Sequence, residues 1–123
     1  ITDLLNRVRQ PFNCNSLALA AAVAVLNDDA FIERVAKNNR TEMKRYEAFC
    51  QKHQLQYIPS KGNFITIDFK QPAEPIYTAL LHQGVIVRPI AGYGMPNHLR
   101  VSIGLPSEND RFFTALSHIL NLK

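Results

Sequence analysis

The chain contains no tryptophan and only two cysteines, Cys14 and Cys50. The two cysteines stand far apart, without a CxxC motif and without a histidine at metal-ligand spacing. These absences exclude a disulfide-dense secreted scaffold and a zinc-finger type of site. Two isolated thiols are typical of a reducing compartment, and we expect a cytoplasmic protein.

Long apolar runs are also missing. The longest, Leu17 to Leu26, has ten residues, which is about half of what a membrane-spanning helix needs. The first residues, from Ile1 onward, lack the basic start and the small-residue cleavage site of a signal peptide. We therefore expect no membrane association, and we interpret the chain as part of a longer protein.

The excess of positive charge is small. Lys and Arg number 14 against 10 Asp and Glu, which gives a formal net charge of +4. The longest basic stretch, Lys37 to Arg45, is interrupted by polar and acidic residues and has no aromatic residues between its cations. Nucleic-acid-binding faces usually combine clustered cations with aromatic residues. We interpret this stretch as the solvated face of a helix and expect no nucleic-acid partner.

The hydrophobic pattern changes halfway along the 123 residues. Helical spacing predominates up to about residue 53, and short β-branched and aromatic runs follow. The predicted helices cover 1–9, 17–26, 30–53, 76–83 and a segment from Pro106 onward, and the predicted strands cover 56–58, 63–69, 85–87 and 99–103. This order predicts an α+β fold, a small α/β layer. It has two N-terminal helices and then a three- to four-stranded, mainly antiparallel sheet with helices packed on one face.

Several local signals make this prediction specific. Asn15 or Ser16 is expected to cap the helix over 17–26, which is apolar nearly all round and is expected to be buried on several sides. Gly84 fits the position just after the helix over 76–83. Ser107, with Asp110 three residues later, matches a capping box at the start of the last helix.

Two arginines are candidates for binding an anion. Arg88 ends the apolar run over 85–87, and Arg100 lies inside the predicted strand over 99–103. A desolvated arginine needs an anionic partner, and its planar fork suits a carboxylate or a phosphate. Together they would form one site for a doubly charged anion. The alternative is that each faces solvent or pairs with one of the ten acids, and the residues alone leave both interpretations open.

Other residues in loops have two interpretations each. The segment over 89–98, with Tyr93 between two glycines, either allows close approach to a ligand or only connects two strands. Asn63 either donates its amide to a ligand or closes a turn. Lys61 lies in the same short polar turn, and we interpret it as an ordinary turn lysine rather than a Schiff-base lysine.

A family resemblance covers the chain from about Leu4 to about Leu120. It rests on Arg9-Gln10-Pro11-Phe12-Asn13-Cys14-Asn15 before the Ala-rich helix, on Gly62-Asn63-Phe64, on Gly84-Val85-Ile86-Val87-Arg88-Pro89, on Gly92-Tyr93-Gly94, and on Leu99-Arg100-Val101-Ser102-Ile103-Gly104. The chain resembles the carboxy-terminal part of histidinol-phosphate aminotransferases, fold-type I enzymes that use pyridoxal phosphate (PLP).

The resemblance implies a domain organisation and roles for single residues. Residues 1–15 would be a helical linker from a large domain, and residues 16–123 a single small domain. Arg100 and Arg88 would hold the phosphate of L-histidinol phosphate, and Arg100 would also bind the carboxylate of 2-oxoglutarate. Asn63 would be a contact near the substrate, and Tyr93 would line the entrance of the site.

The same resemblance implies what this chain lacks. The lysine that carries PLP and the groups that hold the cofactor would lie in the large domain, and the complete enzyme would be a homodimer. Aromatic aminotransferases and threonine-phosphate decarboxylases share much of the pattern and remain alternative enzyme families for this chain. A non-enzymatic module that binds a small metabolite is the alternative from another functional class.

Overall fold

The computed structural model describes residues 2–9 and 13–122. The chain divides into two compact units, Ile1–Val35 and Ala36–Lys123, and the boundary falls within the long helix α3. The helices are α1 (Thr2–Val8), α2 (Ser16–Val25), α3 (Asp29–Lys52), α4 (Glu74–His82) and α5 (Pro106–Ile119). The strands are β1 (Gln56–Ile58), β2 (Phe64–Asp68), β3 (Arg88–Pro89) and β4 (His98–Ser102), and Ala91–Tyr93 forms a 3-10 turn.

The first unit confirms the predicted cap but not the predicted burial. Asn15 caps α2, because its side-chain oxygen accepts a hydrogen bond of 2.8 Å from the backbone N–H of Ala18. Within this chain the helix over 17–26 is exposed, with Leu17 at 81% and Val23 at 64%, so its predicted burial requires a partner surface beyond the described residues. An apolar helix is buried only where a second apolar surface covers it, and the described residues provide none. In the described part of the chain, no helix is both long and apolar enough to cross a membrane.

The second unit is built on a four-stranded sheet in the order β1-β2-β4-β3. All three pairings are antiparallel, which confirms the predicted α+β fold. Successive side chains of a strand alternate between faces, and the buried residues Ile65 and Ile67 of β2 and Leu99 and Val101 of β4 follow that alternation. The opposite face of the sheet therefore carries the polar residues of the same strands.

Three helices pack on the apolar face of this sheet. The buried residues that they add to the core are Met43, Tyr46 and Cys50 from α3, Ile76 and Leu80 from α4, and Phe112, Ala115 and Leu116 from α5. Gly84 follows α4 with a φ of 71°, as expected for the glycine after a helix. The core thus leaves the polar face of the sheet free of helices from this unit.

The predicted strand over Val85 to Val87 is wrong. The third strand is the short β3, which begins at Arg88, immediately after the predicted strand ends, and the segment over 85–87 is irregular. The backbone N–H of Val85 donates to the carbonyl of Leu80, so the chain is still tied to the end of α4 at this point. Val87 is nevertheless buried in the core, so its apolar side chain is used for packing without strand pairing.

The predicted capping box at Ser107 is also displaced. The N-cap of α5 is Leu105, and Pro106 occupies the first helical position, where its missing N–H costs nothing. A carboxylate oxygen of Glu108 accepts a hydrogen bond of 2.7 Å from the backbone N–H of Leu105. The helix therefore starts at Pro106 as predicted, and only its N-cap lies two residues before the predicted cap, Ser107.

Candidate anion-binding site

The register of the sheet brings the two candidate arginines together. Arg88 of β3 lies directly opposite Arg100 of β4, and directly opposed side chains project from the same face with their Cβ atoms about 4.5–5.5 Å apart. Thr66 of β2 lies opposite Arg100 on its other side. Thr66, Arg100 and Arg88 thus form a row across the polar face of the sheet. We call these three residues the arginine row.

The guanidinium of Arg100 is oriented by an aromatic ring. Its central carbon lies 4.9 Å from the centroid of the Phe64 ring, within the range of a cation–π interaction. Phe64 belongs to the same face, two residues before Thr66 in β2. The contact holds the guanidinium of Arg100 beside the Phe64 ring on the polar face of the sheet.

Neither arginine has an acidic partner in the part of the chain that the structure describes. The ion pairs of residues 2–9 and 13–122 are made by Arg45, Lys70 and His98. Two like charges directly opposite each other in a sheet repel, so the arrangement is unfavourable until an anion binds between them. A phosphate or a carboxylate can accept paired N–H bonds from such forks.

Asp68, at the end of β2, lies on the same face of the sheet as the arginine row. Asp68 lies opposite His98 in the register, and its carboxylate is 2.9 Å from Nζ of Lys70 and 3.9 Å from Nε2 of His98. The backbone N–H of Lys70 also donates to Asp68, at 2.8 Å, and these hydrogen bonds hold the pKa of Asp68 below its usual value. This carboxylate is therefore ionised and already neutralised locally, so the arginine row keeps its positive charge.

The other two predicted site residues are near this face, but no described contact joins them to the arginines. Asn63 is exposed immediately before β2, and its carbonyl accepts a hydrogen bond of 2.8 Å from the N–H of Ile103. Tyr93 is 71% exposed in the 3-10 turn, followed by Gly94 with a φ of 77°. Of the four predicted site residues, all of which the structure describes, the strand register brings only Arg88 and Arg100 together.

A buried polar cluster fixes the end of β4 from the other side of the sheet. Asn109 of α5 is 2% exposed and clasps Gly104, accepting from its N–H and donating to its carbonyl, both at 3.0 Å. Its amide also donates to Glu42 at 2.8 Å and accepts from the hydroxyl of Tyr46 at 3.0 Å. We call Glu42, Tyr46, Gly104 and Asn109 the Asn109 cluster. It anchors Gly104, two residues beyond the end of the arginine-bearing strand, so it supports the site without contacting it.

Sequence reasoning missed both the Phe64 stacking and the Asn109 cluster. The alternation in β2 places Phe64 on the polar face, which is the one signal that pointed to the stacking. The cluster joins residues separated by 63 and 67 positions, and local pattern carries no information on such pairs. Among the described residues, no group of three His, Cys, Asp or Glu could hold a metal ion.

The fold and the site can now be compared with known proteins. Residues 1–116 match the family of class I and II aminotransferases. The chain belongs to this family. It is 83% identical over 120 residues to a protein named histidinol-phosphate aminotransferase 2 from Haemophilus influenzae, covering 98% of this chain and 33% of that protein. It is 78% identical over 123 residues to histidinol-phosphate aminotransferase 1 from Mannheimia succiniciproducens, covering 100% of this chain and 34% of that protein.

This aminotransferase chain therefore spans about a third of the length of the curated relatives it matches. Its fold is also found in a crystal structure of histidinol-phosphate aminotransferase from Sinorhizobium meliloti in complex with pyridoxal-5'-phosphate. The TM-score is 0.77 at 22% identity, and the match covers 96% of this chain and 33% of that one. The family resemblance seen in the sequence is confirmed.

Proposed function

We propose that this chain is the substrate-binding part of a PLP-dependent histidinol-phosphate aminotransferase, which transfers an amino group between L-histidinol phosphate and 2-oxoglutarate. The observation that carries the proposal is the arginine row, in which Arg88 and Arg100 lie side by side without an acidic partner among the described residues. Two of the aligned relatives, at 83% and 78% identity, bear the name of that activity.

The arginine row suits the phosphate end of the substrate. A phosphate carries a charge close to −2, which two guanidinium groups balance better than one. Arg100 is the arginine whose guanidinium contacts the Phe64 ring, so we propose that it binds the anionic group of both substrates. The carboxylate of 2-oxoglutarate would occupy the same position, and Arg88 would contribute mainly to phosphate binding.

The residues around the row fit a substrate end rather than the cofactor. Lys70 is paired with Asp68, and Lys61 lies in the turn before β2, next to α3. Neither lysine is placed to carry PLP beside the arginines. In the complete protein PLP would act as the electron sink, and we propose that it is held by residues outside this chain. The role of this chain is to bind and orient the anionic tail so that the substrate amine is presented to the cofactor.

We extend the proposal to the remaining predicted features. Asn63 and Tyr93 are assigned to the rim of the substrate site, since each is exposed at a turn that borders the strands of the row. The complete enzyme is proposed to be a cytoplasmic homodimer. A non-enzymatic metabolite-binding module is disfavoured, because the family of the chain consists of aminotransferases.

The test is steady-state kinetics of Arg100→Ala in the full-length, PLP-loaded protein. We expect kcat/KM for L-histidinol phosphate to fall at least ~10²-fold, because a lost charged hydrogen-bond pair is worth about 2–3 kcal/mol. Arg88→Ala should weaken the reaction of the phosphorylated substrate more than that of 2-oxoglutarate.

The matched control is Lys52→Ala, an exposed cation at the end of α3, which should leave both half-reactions unchanged. Wild-type kinetics in Arg100→Ala would remove that residue from the site. Loss of activity that is equal for Arg100→Ala and Lys52→Ala would show a general effect of charge instead.

A further inference from the structure

A second cationic region lies on the α3 side of the second unit. Its walls are one face of α3 and the turn Ser60–Gly62 between β1 and β2, and they enclose a groove of about 630 Å³. None of the residues that line it belongs to β3 or β4. We call it the α3 groove, and it is separate from the arginine row.

Four positively charged side chains line the α3 groove. Lys37, Arg40 and Lys44 follow one another at helical spacing on α3, and Lys61 faces them from the turn. One carboxylate, Glu47, lies among the lining residues. In the described part of the chain, none of these four cations takes part in an ion pair. The basic stretch that the sequence presented as a solvated helix face is therefore brought opposite a fourth cation by the tertiary fold.

The groove also contains a buried hydrogen-bond acceptor without a partner. The side-chain amide of Asn39 donates to the carbonyl of Gly62 at 3.1 Å, which ties the turn to the helix. Its Oδ1 atom is buried and accepts no hydrogen bond within the described residues. An unmatched buried acceptor is unfavourable, but this oxygen has almost no exposed surface, so Asn39 shapes the groove through its bond to Gly62 and not through a ligand contact.

We propose that the α3 groove binds a small molecule that bears more than one phosphate. The four cations that line the groove would pair with the phosphates. The volume is that of a small-molecule site, and no aromatic residue lines the groove, whereas sites for single-stranded nucleic acids stack bases on aromatic rings. A compact polyphosphorylated metabolite fits these features better than a nucleic acid.

The test is isothermal titration of the full-length protein with fructose 1,6-bisphosphate as the probe, at ~0.1 M salt. We expect saturable binding, and no binding of unphosphorylated fructose. Lys44→Glu on the helix and Lys61→Glu on the turn should each weaken binding of the probe at least ~10-fold, because each replaces an attraction by a repulsion inside the groove.

The matched control is Lys52→Glu, which makes the same change of net charge on the same helix, outside the groove. It should change the affinity less than ~2-fold. All three lysines are exposed, and circular dichroism will verify that the variants are folded.

Four results would overturn the proposal. The first is an absence of binding by the wild-type protein, and the second is an equal loss of affinity in Lys52→Glu. The third is binding that disappears in Arg100→Ala but persists in Lys44→Glu, which would place the probe at the arginine row. The fourth is a single-stranded RNA that displaces the probe and binds more tightly, which would assign the groove to nucleic acid.

Discussion

Removing Asn109 is the sharpest test of how this fold is held together. All four hydrogen-bonding positions of its side chain are used, and the residue is 2% exposed. In Asn109→Ala, Glu42 keeps its bond from Arg45 and the carbonyl of Gly104 keeps its bond from Asn38. The hydroxyl of Tyr46 and the N–H of Gly104 are left without another hydrogen-bond partner among the described residues.

The expected magnitude follows from those two orphaned groups. Each buried polar group that loses its partner costs about 1–3 kcal/mol, so Asn109→Ala should lower the free energy of unfolding by about 2–6 kcal/mol. This is a large part of the about 5–15 kcal/mol that stabilises a typical domain. Tyr46→Phe removes only the hydroxyl and should cost about 1 kcal/mol.

The assay is urea unfolding of the chain followed by circular dichroism. Asp110→Ala is the matched control, because Asp110 is the next residue of α5 but its side chain is 61% exposed, and an exposed ion pair contributes about 0–1 kcal/mol. The double variant Asn109→Ala, Tyr46→Phe should lose less than the sum of the two single variants. If Asn109→Ala lost no more stability than Asp110→Ala, the reasoning that the cluster anchors β4 would be refuted.

Three further predictions concern single positions. Gly84→Ala should lower the free energy of unfolding by about 1–2 kcal/mol, because its φ of 71° is unfavourable for a residue with a Cβ; Gly92→Ala, where nothing lies within 4 Å of the added Cβ, should be close to neutral in the same urea assay. The pKa of Asp68 is lower in the folded chain than in the unfolded chain, so the ionised carboxylate stabilises the fold. This stabilisation is fully present above about pH 4, the unfolded pKa, and is lost as the pH falls through the lower folded pKa. The stability difference between wild type and Asp68→Asn should therefore be larger at pH 6 than at pH 2.5, and a constant difference would contradict this. Burial raises the pKa of Cys50 to about 12, so iodoacetamide at pH 8 should alkylate it at least ~10²-fold more slowly than the exposed Cys14, as peptide mapping by mass spectrometry will measure.

The sequence by itself determined most of the elements and the family. Helical spacing and strand alternation located α3, β1, β2 and β4 to within one or two residues, because both patterns reflect which side chains of one short segment share a face. The Asn15 cap and the left-handed glycine at position 84 were equally local. The motifs that carry the family resemblance are runs of adjacent residues, so they too were readable without a structure.

The errors arose where burial or competing local signals decided the outcome. The run over 85–87 has strand-like residues, but its start is bonded to the end of α4, and pairing with β4 begins only at Arg88. Helix α5 starts at Pro106 as predicted, but its N-cap is Leu105 and not the serine that resembled a cap. The apolar helix over 17–26 formed as expected, but its burial depends on a surface that the described residues do not contain.

What only the tertiary structure decided is which distant residues become neighbours. The sequence identified Arg88 and Arg100 as candidates, but the β3–β4 register is what sets them directly opposite each other. In the same way Lys61 meets the basic face of α3, and Asn109 meets Gly104, Tyr46 and Glu42. Periodicity and capping follow from forces between residues a few positions apart, whereas these groupings follow from closing a single hydrophobic core, which depends on the whole chain at once.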